Sequence, residues 1–305
     1  MKTVKFNYLP KHCIGLPLVL LISCGQQENT DTFDTPVSGR DTVYIEETLF
    51  PYFLKVKPIY DSVFEHAKIT LIPVNARRGM ALLFADSANC VILARDYLHD
   101  EDSIMKSLSL PFKQIEIAKD GLVFYVRRSL DIDTVNIIQI RDILQGMSKF
   151  SFQNIGFENA FHIPSKQSSE YANVLSHFTE KDQPLRASFK FHDNRDSLKQ
   201  YIRNHDAIGI GFMSDILKDS SLKPLRIGYT DTTNKRIPPQ IVHPGFIVQN
   251  MYPLVVPIFA YMKNEKQNLA WGFATFMEKD PSVQKILLNE GVVPSHARYN
   301  LIRED

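Results

Sequence analysis

The alternation of short apolar segments with amphipathic segments is the feature that most constrains the fold of this chain. Runs typical of buried β-strands, such as Cys90-Val91-Ile92-Leu93, recur between stretches whose apolar residues follow helical spacing. Strands that alternate with helices favour an α/β fold with a largely parallel sheet, because parallel neighbours need a long crossover connection. The 305 residues suffice for one large domain or for two of ordinary size.

The pattern predicts strands and helices along most of the chain after residue 41. The predicted strands cover 42–45, 69–74, 91–94, 112–118, 121–126, 157–163, 207–211, 225–229 and 252–262. The predicted helices cover 50–66, 80–86, 100–107, 136–144, 169–178, 196–204, 268–278 and 281–289. A second structural unit is predicted to begin near residue 130. The pattern of apolar and polar residues changes again near residue 239.

Charge and motif content exclude several classes of function. The chain carries 35 basic and 34 acidic residues, which argues against a chain-wide electrostatic footprint for nucleic acid. Three cysteines are too few for a disulfide scaffold. The sequence contains no histidine pair at a metal-ligand spacing, no nucleophile elbow, no P-loop and no dinucleotide fingerprint. We therefore expect no metal, no cofactor, no nucleic-acid partner and no enzymatic activity.

The amino terminus has the composition of an export signal. Three lysines without an acid precede the apolar run 14–22, and Ser23 and Cys24 follow it. The run is too short for a permanent membrane span, which needs about 20 apolar residues. Leu21-Ile22-Ser23-Cys24 resembles the bacterial lipobox, where cleavage precedes a cysteine whose thiol takes a diacylglycerol. The alternatives are an ordinary signal or a chance apolar start.

The lipobox resemblance defines the first domain boundaries. It implies a signal peptide at 1–23 and an exported protein that is anchored to a bacterial membrane through lipid on Cys24. The protein would face the periplasm or the cell exterior. Residues 24–41 are polar with few large apolar side chains, so we expect a flexible tether there.

An ordered series of short motifs resembles a known family. The series consists of Ile45-Glu46-Glu47-Thr48, Leu93-Ala94-Arg95-Asp96-Tyr97, Ser168-Ser169, Tyr252-Pro253-Leu254 and Gly291-Val292-Val293-Pro294. In this order, over roughly 42–302, it resembles the phosphate-binding proteins of ABC transporters, specifically their lipoprotein branch. The Tyr-Pro-Leu run, followed by two helices and Gly-Val-Val-Pro, is the most distinctive part.

The resemblance implies an α/β, two-lobed periplasmic-binding-protein-like (type II) fold. Each lobe would be a mixed, mainly parallel sheet with flanking helices. Lobe one would comprise 42–130 plus 245–305, and lobe two 131–244, joined by two hinge crossings. Inorganic phosphate or a related oxyanion would bind in the cleft, at strand carboxyl ends and helix amino termini. The partner implied is the permease of an ABC transporter.

The first candidate ligand residue implied by the resemblance is Thr48. It matches a phosphate-contacting threonine of the family, whereas Glu46 and Glu47 depart from the usual glycine, serine and threonine. A glutamate is favourable near a helix start, yet its charge would oppose a bound anion. The alternative is that Thr48 only caps the helix.

Three further candidates lie near the strand that ends at residue 94. The resemblance places at Asp96 a carboxylate that accepts a hydrogen bond from the ligand's own proton. Such an acceptor tolerates protonated phosphate and opposes sulfate. Arg95 would add a donor fork suited to phosphate, unless Arg95 and Asp96 form a local salt bridge. Arg77, in the preceding loop, would supply positive charge or be solvated.

The last candidates are Ser168 and Ser169, which match the hydroxyl positions of the family at the start of a helix. The family's arginine before them is absent, and Lys166 is the available substitute. The alternative is an ordinary serine N-cap.

Two functions remain open at this point. In the first, the protein captures a small oxyanion, with phosphate preferred, and presents it to an ABC permease. In the second, a degenerate member keeps the lobes but has a structural or protein-interaction role. Glutamates that fill the cleft, together with no response to anions, would distinguish the second function.

The lipobox generates a testable prediction. Cys24→Ser removes the thiol that would carry the diacylglycerol, so the protein should move from the membrane fraction to the soluble extracytoplasmic fraction. Fractionation followed by immunoblotting measures this, with Cys90→Ser as the control that leaves the anchor intact. Membrane retention of Cys24→Ser would contradict the lipid anchor.

Overall fold

Strands and helices alternate along the polypeptide in the computed structural model of this protein, which describes residues 35–108, 112–149, 160–180, 185–263 and 267–296. The strands are β1 Gly39–Glu46, β2 Ala67–Val74, β3 Cys90–Leu93, β4 Phe112–Arg127, β5 Thr134–Asn136, β6 Phe161–Ile163, β7 Phe189–Phe191, β8 Ile208–Phe212, β9 Leu222–Pro224, β10 Arg226–Thr230, β11 Arg236–Gln240, β12 Val255–Lys263 and β13 Val293–Pro294. The helices are α1 Phe50–Val63, α2 Ala76–Phe84, α3 His99–Leu108, α4 Ile137–Leu144, α5 Ser169–Phe178, α6 Arg195–Asn204, α7 Met213–Ile216, α8 Pro244–Val248, α9 Leu269–Lys279 and α10 Pro281–Asn289.

The principal sheet has two groups of strands on either side of β4. Its order is β2-β1-β3-β12-β4-β8-β6-β7, and β9 and β13 also pair with β4. In the first strand group, β2-β1-β3-β12, the strands β2, β1 and β3 are parallel, whereas β12 is antiparallel to β3. In the second strand group, β8-β6-β7, all strands are parallel. The predicted α/β class is confirmed, with antiparallel strands at the centre of the sheet.

Strand β4 belongs to both strand groups. Its first part pairs with β12 as far as Gly121, and from Leu122 to Tyr125 it pairs with β8. The sequence prediction of two separate strands, 112–118 and 121–126, was wrong because Lys119-Asp120-Gly121 has the composition of a turn. The strand continues through these residues because β12 pairs with all three of them and β13 pairs with Lys119.

The beginning of the described chain is part of the fold, whereas we expected a flexible tether up to residue 41. Strand β1 begins at Gly39, and Pro36 lies against α9. A Cβ at Gly272 would lie 1.8 Å from the Pro36 carbonyl oxygen, so only glycine permits this approach. The predicted signal peptide, Cys24 and residues 24–34 lie outside the described residues. Within the described residues, no helix has the length and apolar character needed to cross a membrane.

Most predicted elements of more than five residues are present, with shifted ends. Helix α1 ends at Val63 instead of residue 66, and α2 begins at Ala76 instead of residue 80. The Asn75 side chain caps α2 by accepting a hydrogen bond from the Arg78 N–H. The short elements β5, β7, β9, β11, α7 and α8 carry too few residues for a periodic pattern and were missed. The predicted extended residues 157–159 lie outside the described part of the chain.

Apolar side chains from both strand groups form one continuous core. Tyr60 of α1 contacts Phe273 of α9 edge to face, with ring centroids 5.0 Å apart. Cys90 is a free, buried thiol, as its apolar run predicts. This packing holds α1 and α9 against the sheet, which fixes the strand ends described below.

A buried carboxyl group lies where β4 changes partners. Asp120 is 1% exposed, and its Oδ1 accepts hydrogen bonds from the N–H groups of Gly121 at 2.7 Å and Ser214 at 3.2 Å. Ser214 belongs to α7, which follows β8 of the second strand group. Burial raises the pKa of Asp120 to about 6, against the hydrogen bonds from Ser214 and Gly121.

Asp120→Asn should therefore flatten the dependence of stability on pH. A carboxyl whose pKa is raised by folding contributes stability that is complete below its unfolded pKa and is lost as pH rises through about 6. Asparagine cannot ionise, yet its carbonyl oxygen can accept the same two hydrogen bonds. We expect the variant to gain up to about 3 kcal/mol relative to the native chain between about pH 4 and pH 7. Urea unfolding across this range measures the difference, and a difference independent of pH would contradict the assignment.

Candidate functional site

A polar cavity of about 680 Å³ lies between side chains that precede β4 and side chains that follow it. Thr48 lies before β4, whereas Ser168 and Asp215 lie after it. Seven acidic side chains line the cavity: Glu46, Glu47, Glu170, Asp193, Asp196, Asp215 and Glu290. Four basic side chains line it as well: Lys55, Arg195, Lys199 and Lys218. The walls therefore carry an excess of negative charge.

The chain folds so that two strand ends and one helix start meet beside this cavity. Parallel strands β1 and β3 end at Glu46 and Leu93, at one edge of the sheet. Helix α5 begins at Ser169, after Ser168, whose side chain accepts a hydrogen bond from the Tyr171 N–H. The free backbone N–H groups at the start of α5 therefore lie beside the polar residues at the ends of β1 and β3.

The carboxylate of Glu46 occupies this meeting point. Its Oε1 accepts hydrogen bonds from Thr48 Oγ1 at 3.2 Å and from the Ser169 N–H at 3.1 Å. Its Oε2 accepts from the Ala94 N–H at 2.9 Å and from Ser169 Oγ at 2.5 Å. We call these four donors the Glu46 cradle. Glu46 is 2% exposed, so its charge is stabilised by the cradle rather than by bulk water.

The cradle ties the two strand groups together. Glu46 ends β1 and Ala94 follows β3, both in the first group, whereas Ser169 begins the helix between β6 and β7 of the second. The Asn173 side chain donates from Nδ2 to the carbonyl oxygens of Ala94 and Ser169, at 2.8 Å each. Since Asn173 is also buried, both contributing segments are held in place before any ligand arrives.

A second buried carboxylate adjoins the first. Glu170 is 1% exposed and forms an ion pair with Arg195, the first residue of α6. The Arg195 guanidinium also lies over the Phe212 ring, 5.4 Å from its centroid. Burial, and then the charge of Glu170, hold the pKa of Glu46 above its ordinary value, although the hydrogen bonds from Ala94 and Ser169 and the charge of Arg195 act in the opposite direction.

Three of the predicted ligand residues are brought together. Thr48 and Ser168 line the cavity, and Ser169 lies buried behind them in contact with Glu46. The alternative that Thr48 caps α1 was wrong, because Leu49 is the N-cap and makes no side-chain cap bond. The alternative that Ser168 is a serine N-cap is confirmed.

The other three predicted residues do not line the cavity. Arg95 is buried and bonds to both carboxylate oxygens of Glu101, at 2.6 and 2.8 Å. Arg77 pairs with Asp100 at 2.6 Å and with Glu101 at 2.9 Å. Asp96 accepts hydrogen bonds from its neighbour Tyr97 and from Gln114. These two arginines thus neutralise carboxylates near the start of α3.

Sequence reasoning missed Glu170, Asn173 and Arg195. Glu170 and Asn173 lie on a helix whose start was predicted, but nothing in the spacing shows which residues of that helix face the strand ends. A signal for Arg195 does exist. Asn194 and Ser197 form a reciprocal capping box, which places Arg195 in the first turn of α6.

A family model described as the PBP superfamily domain matches residues 38–280. The chain belongs to the periplasmic binding protein (PBP) superfamily. This confirms the superfamily to which the motif resemblance points. A comparison with curated protein sequences finds no match.

Solved structures of PBP proteins share the fold of this chain. A putative phosphate ABC transporter substrate-binding protein from Clostridium perfringens, with bound phosphate, has a TM-score of 0.66 at 15% identity, over 84% of this chain and 99% of that chain. An ABC-type phosphate transport receptor from Vibrio cholerae has a TM-score of 0.64 at 13% identity, over 84% and 100%. A possible phosphate binding protein from Planctomyces limnophilus has a TM-score of 0.55 at 18% identity, over 85% and 93%. The two-lobed fold is therefore confirmed.

The Glu170–Arg195 pair generates a prediction about stability. Arg195→Met removes the partner and leaves Glu170 charged and buried beside Glu46. Because the Arg195 side chain is 21% exposed, we expect a cost at the low end for a broken buried pair, about 3 kcal/mol at neutral pH. Adding Glu170→Gln removes the stranded charge and should recover at least half of this loss. Urea unfolding of the native chain, both single variants and the double variant gives the coupling energy. Additive effects of the two substitutions would show that the pair does not interact.

Proposed function

We propose that this chain is an exported, lipid-anchored substrate-binding protein that holds a small polar solute in its cleft and delivers it to the permease of an ABC transporter. Family membership supports a binding role rather than catalysis, because substrate-binding proteins of transporters are not enzymes. The similar proteins from Clostridium perfringens and Vibrio cholerae are described as components of phosphate ABC transport. In this proposal, cleavage before Cys24 leaves a lipidated protein facing the periplasm or the cell exterior.

The observation that carries the proposal is the cavity with walls from both strand groups. In the proposal, the two lobes follow the predicted division into 42–130 plus 245–305 and 131–244, with the first boundary moved to residue 121 and the second to residue 254. One crossing runs through β4 at Gly121 and Leu122, where the strand changes partners. The second adjoins it, since the Leu122 N–H donates to the Leu254 carbonyl oxygen at 2.9 Å. Hinge motion at this point would open and close the cavity around a solute.

The charges of the cavity bear on which solute it takes. The four basic side chains of the wall already pair with acidic ones: Lys55 and Lys218 with Glu290, Lys199 with Asp196 and Asp215, and Arg195 with Glu170. An added anion would have to compete with these carboxylates. This favours an uncharged or cationic polar solute over the phosphate expected from the family resemblance.

Glutamates in the cleft also favour a second candidate function. If nothing binds in the cavity, the protein is a degenerate member with a structural or protein-interaction role. The Glu46 cradle is the observation behind this candidate. The N–H groups of Ser169, at the start of α5, and of Ala94, after β3, already donate hydrogen bonds to Glu46 without any ligand.

A solute panel tests the proposed function on the chain from residue 25 onward, which contains the whole compact unit Phe33–Asp305. Thermal unfolding is followed with phosphate, sulfate, neutral sugars, amino acids and polyamines. A solute at one hundred times its Kd adds about 2.7 kcal/mol, which raises Tm by about 5 °C. We expect such a rise with at least one uncharged or cationic solute.

Two tryptophan substitutions one residue apart provide the control. Ser165 lines the cavity, whereas Lys166 is exposed and lies outside its walls. Ser165→Trp should abolish the solute-dependent rise, and Lys166→Trp should preserve it. The absence of any rise across the panel would reject the receptor and support the degenerate member.

A further inference from the structure

We infer that Glu46 is a built-in occupant of an oxyanion site, so that its carboxylate takes the place of a free phosphate or sulfate. The inference rests on the proposed function, because it names small oxyanions as a class of solute that the proposed receptor rejects. Its evidence is the chemistry of the four donors, the burial of the carboxylate and the position of Glu46 on the cavity wall.

The cradle presents only hydrogen-bond donors to the position that Glu46 fills. Two are backbone N–H groups, of Ala94 and Ser169, and two are hydroxyls, of Thr48 and Ser169. The Ser169 N–H also belongs to the first turn of a ten-residue helix, whose amino terminus favours negative charge. Convergent donors without a fixed cation suit a small anion that makes several short hydrogen bonds.

The anion that meets these donors is covalently attached. Glu46 ends β1, and only Glu47 separates it from Thr48. A tethered group reaches its site at an effective concentration on the order of millimolar or above, so free phosphate competes poorly for the same donors. The adjacent Glu170, buried with its own negative charge, opposes a second anion.

The cradle borders the cavity, because Glu46 itself is part of the cavity wall. Shortening this side chain would therefore connect the four donors to the space where a solute enters. The Asn173 hydrogen bonds to the Ala94 and Ser169 carbonyls do not involve Glu46 and would keep the donors in position. The native cleft then accepts uncharged or cationic solutes, and a chain without the Glu46 carboxylate accepts oxyanions.

The experiment compares four proteins: the native chain from residue 25, Glu46→Ala, Glu46→Gln and Glu47→Ala. Calorimetric titration and thermal unfolding are done with inorganic phosphate, and then with sulfate. We expect saturable binding to Glu46→Ala with a rise in Tm of about 5 °C at one hundred times Kd, and no rise for the other three. Glu46→Gln removes the charge but still fills the space, and Glu47→Ala removes an exposed charge next to the cradle without opening it.

Each outcome decides the inference independently of the solute panel. Oxyanion binding confined to Glu46→Ala supports it. Phosphate binding by the native chain at least as tight as by Glu46→Ala overturns it while leaving the receptor function in place. No binding by any of the four also overturns it, and the solute panel then decides the receptor function separately.

A second measurement applies if Glu46→Ala is unstable, because the four donors of the cradle lose their hydrogen-bond acceptor in this variant. If the variant does not fold in buffer without oxyanions, refolding yield is measured with and without sulfate, with chloride at equal ionic strength as the control. Recovery specific to sulfate supports the inference. Equal recovery in chloride, or none, overturns it.

Discussion

The arrangement around the cavity depends on one buried carboxylate. A charged group that is shielded from water must find hydrogen-bond donors inside the protein, and Glu46 finds them on segments far apart in sequence. Satisfying that charge fixes the end of β1, the end of β3 and the start of α5 relative to one another. The hydrogen bonds of Asn173, and the one from the Arg77 N–H to the Gln167 carbonyl at 3.2 Å, reinforce the same junction.

The position of this junction follows from the sheet. The parallel strands of the first group run antiparallel to those of the second, and each group pairs with a different half of β4. The carboxyl ends of these strands, and the helix starts that follow them, therefore face each other where β4 changes partners. Polar residues can gather there without disturbing the apolar core, which runs continuously beneath both strand groups. The PBP fold thus supplies a place for polar chemistry, and the particular side chains at that place decide what can bind. In this chain most of the charged side chains at that place are acidic. The fold alone therefore does not determine which ligand binds.

Local sequence pattern was sufficient for the fold class and for part of the site. The helix start at Ser169 and the strand that ends before Ala94 were readable because capping residues and apolar runs are local signals. The partner of Arg95 was not readable, since its pairing with Glu101 depends on how a turn and a helix start pack in space. The role of Glu46 was visible only as a departure from the family pattern. That its charge is satisfied internally depends on contacts with a residue 123 positions later.

The continuity of β4 determines how such a molecule can deform. A flexible loop between two halves would let them swing through wide angles at almost no energetic cost. Here one continuous strand passes from its pairing with β12, which has a single register shift at Ile117, directly into its pairing with β8. Any opening between the two halves must bend or twist β4, and the strain in the strand grows as the angle between the halves widens. In the proposed hinge motion, this strain would favour the return of the two halves to one geometry.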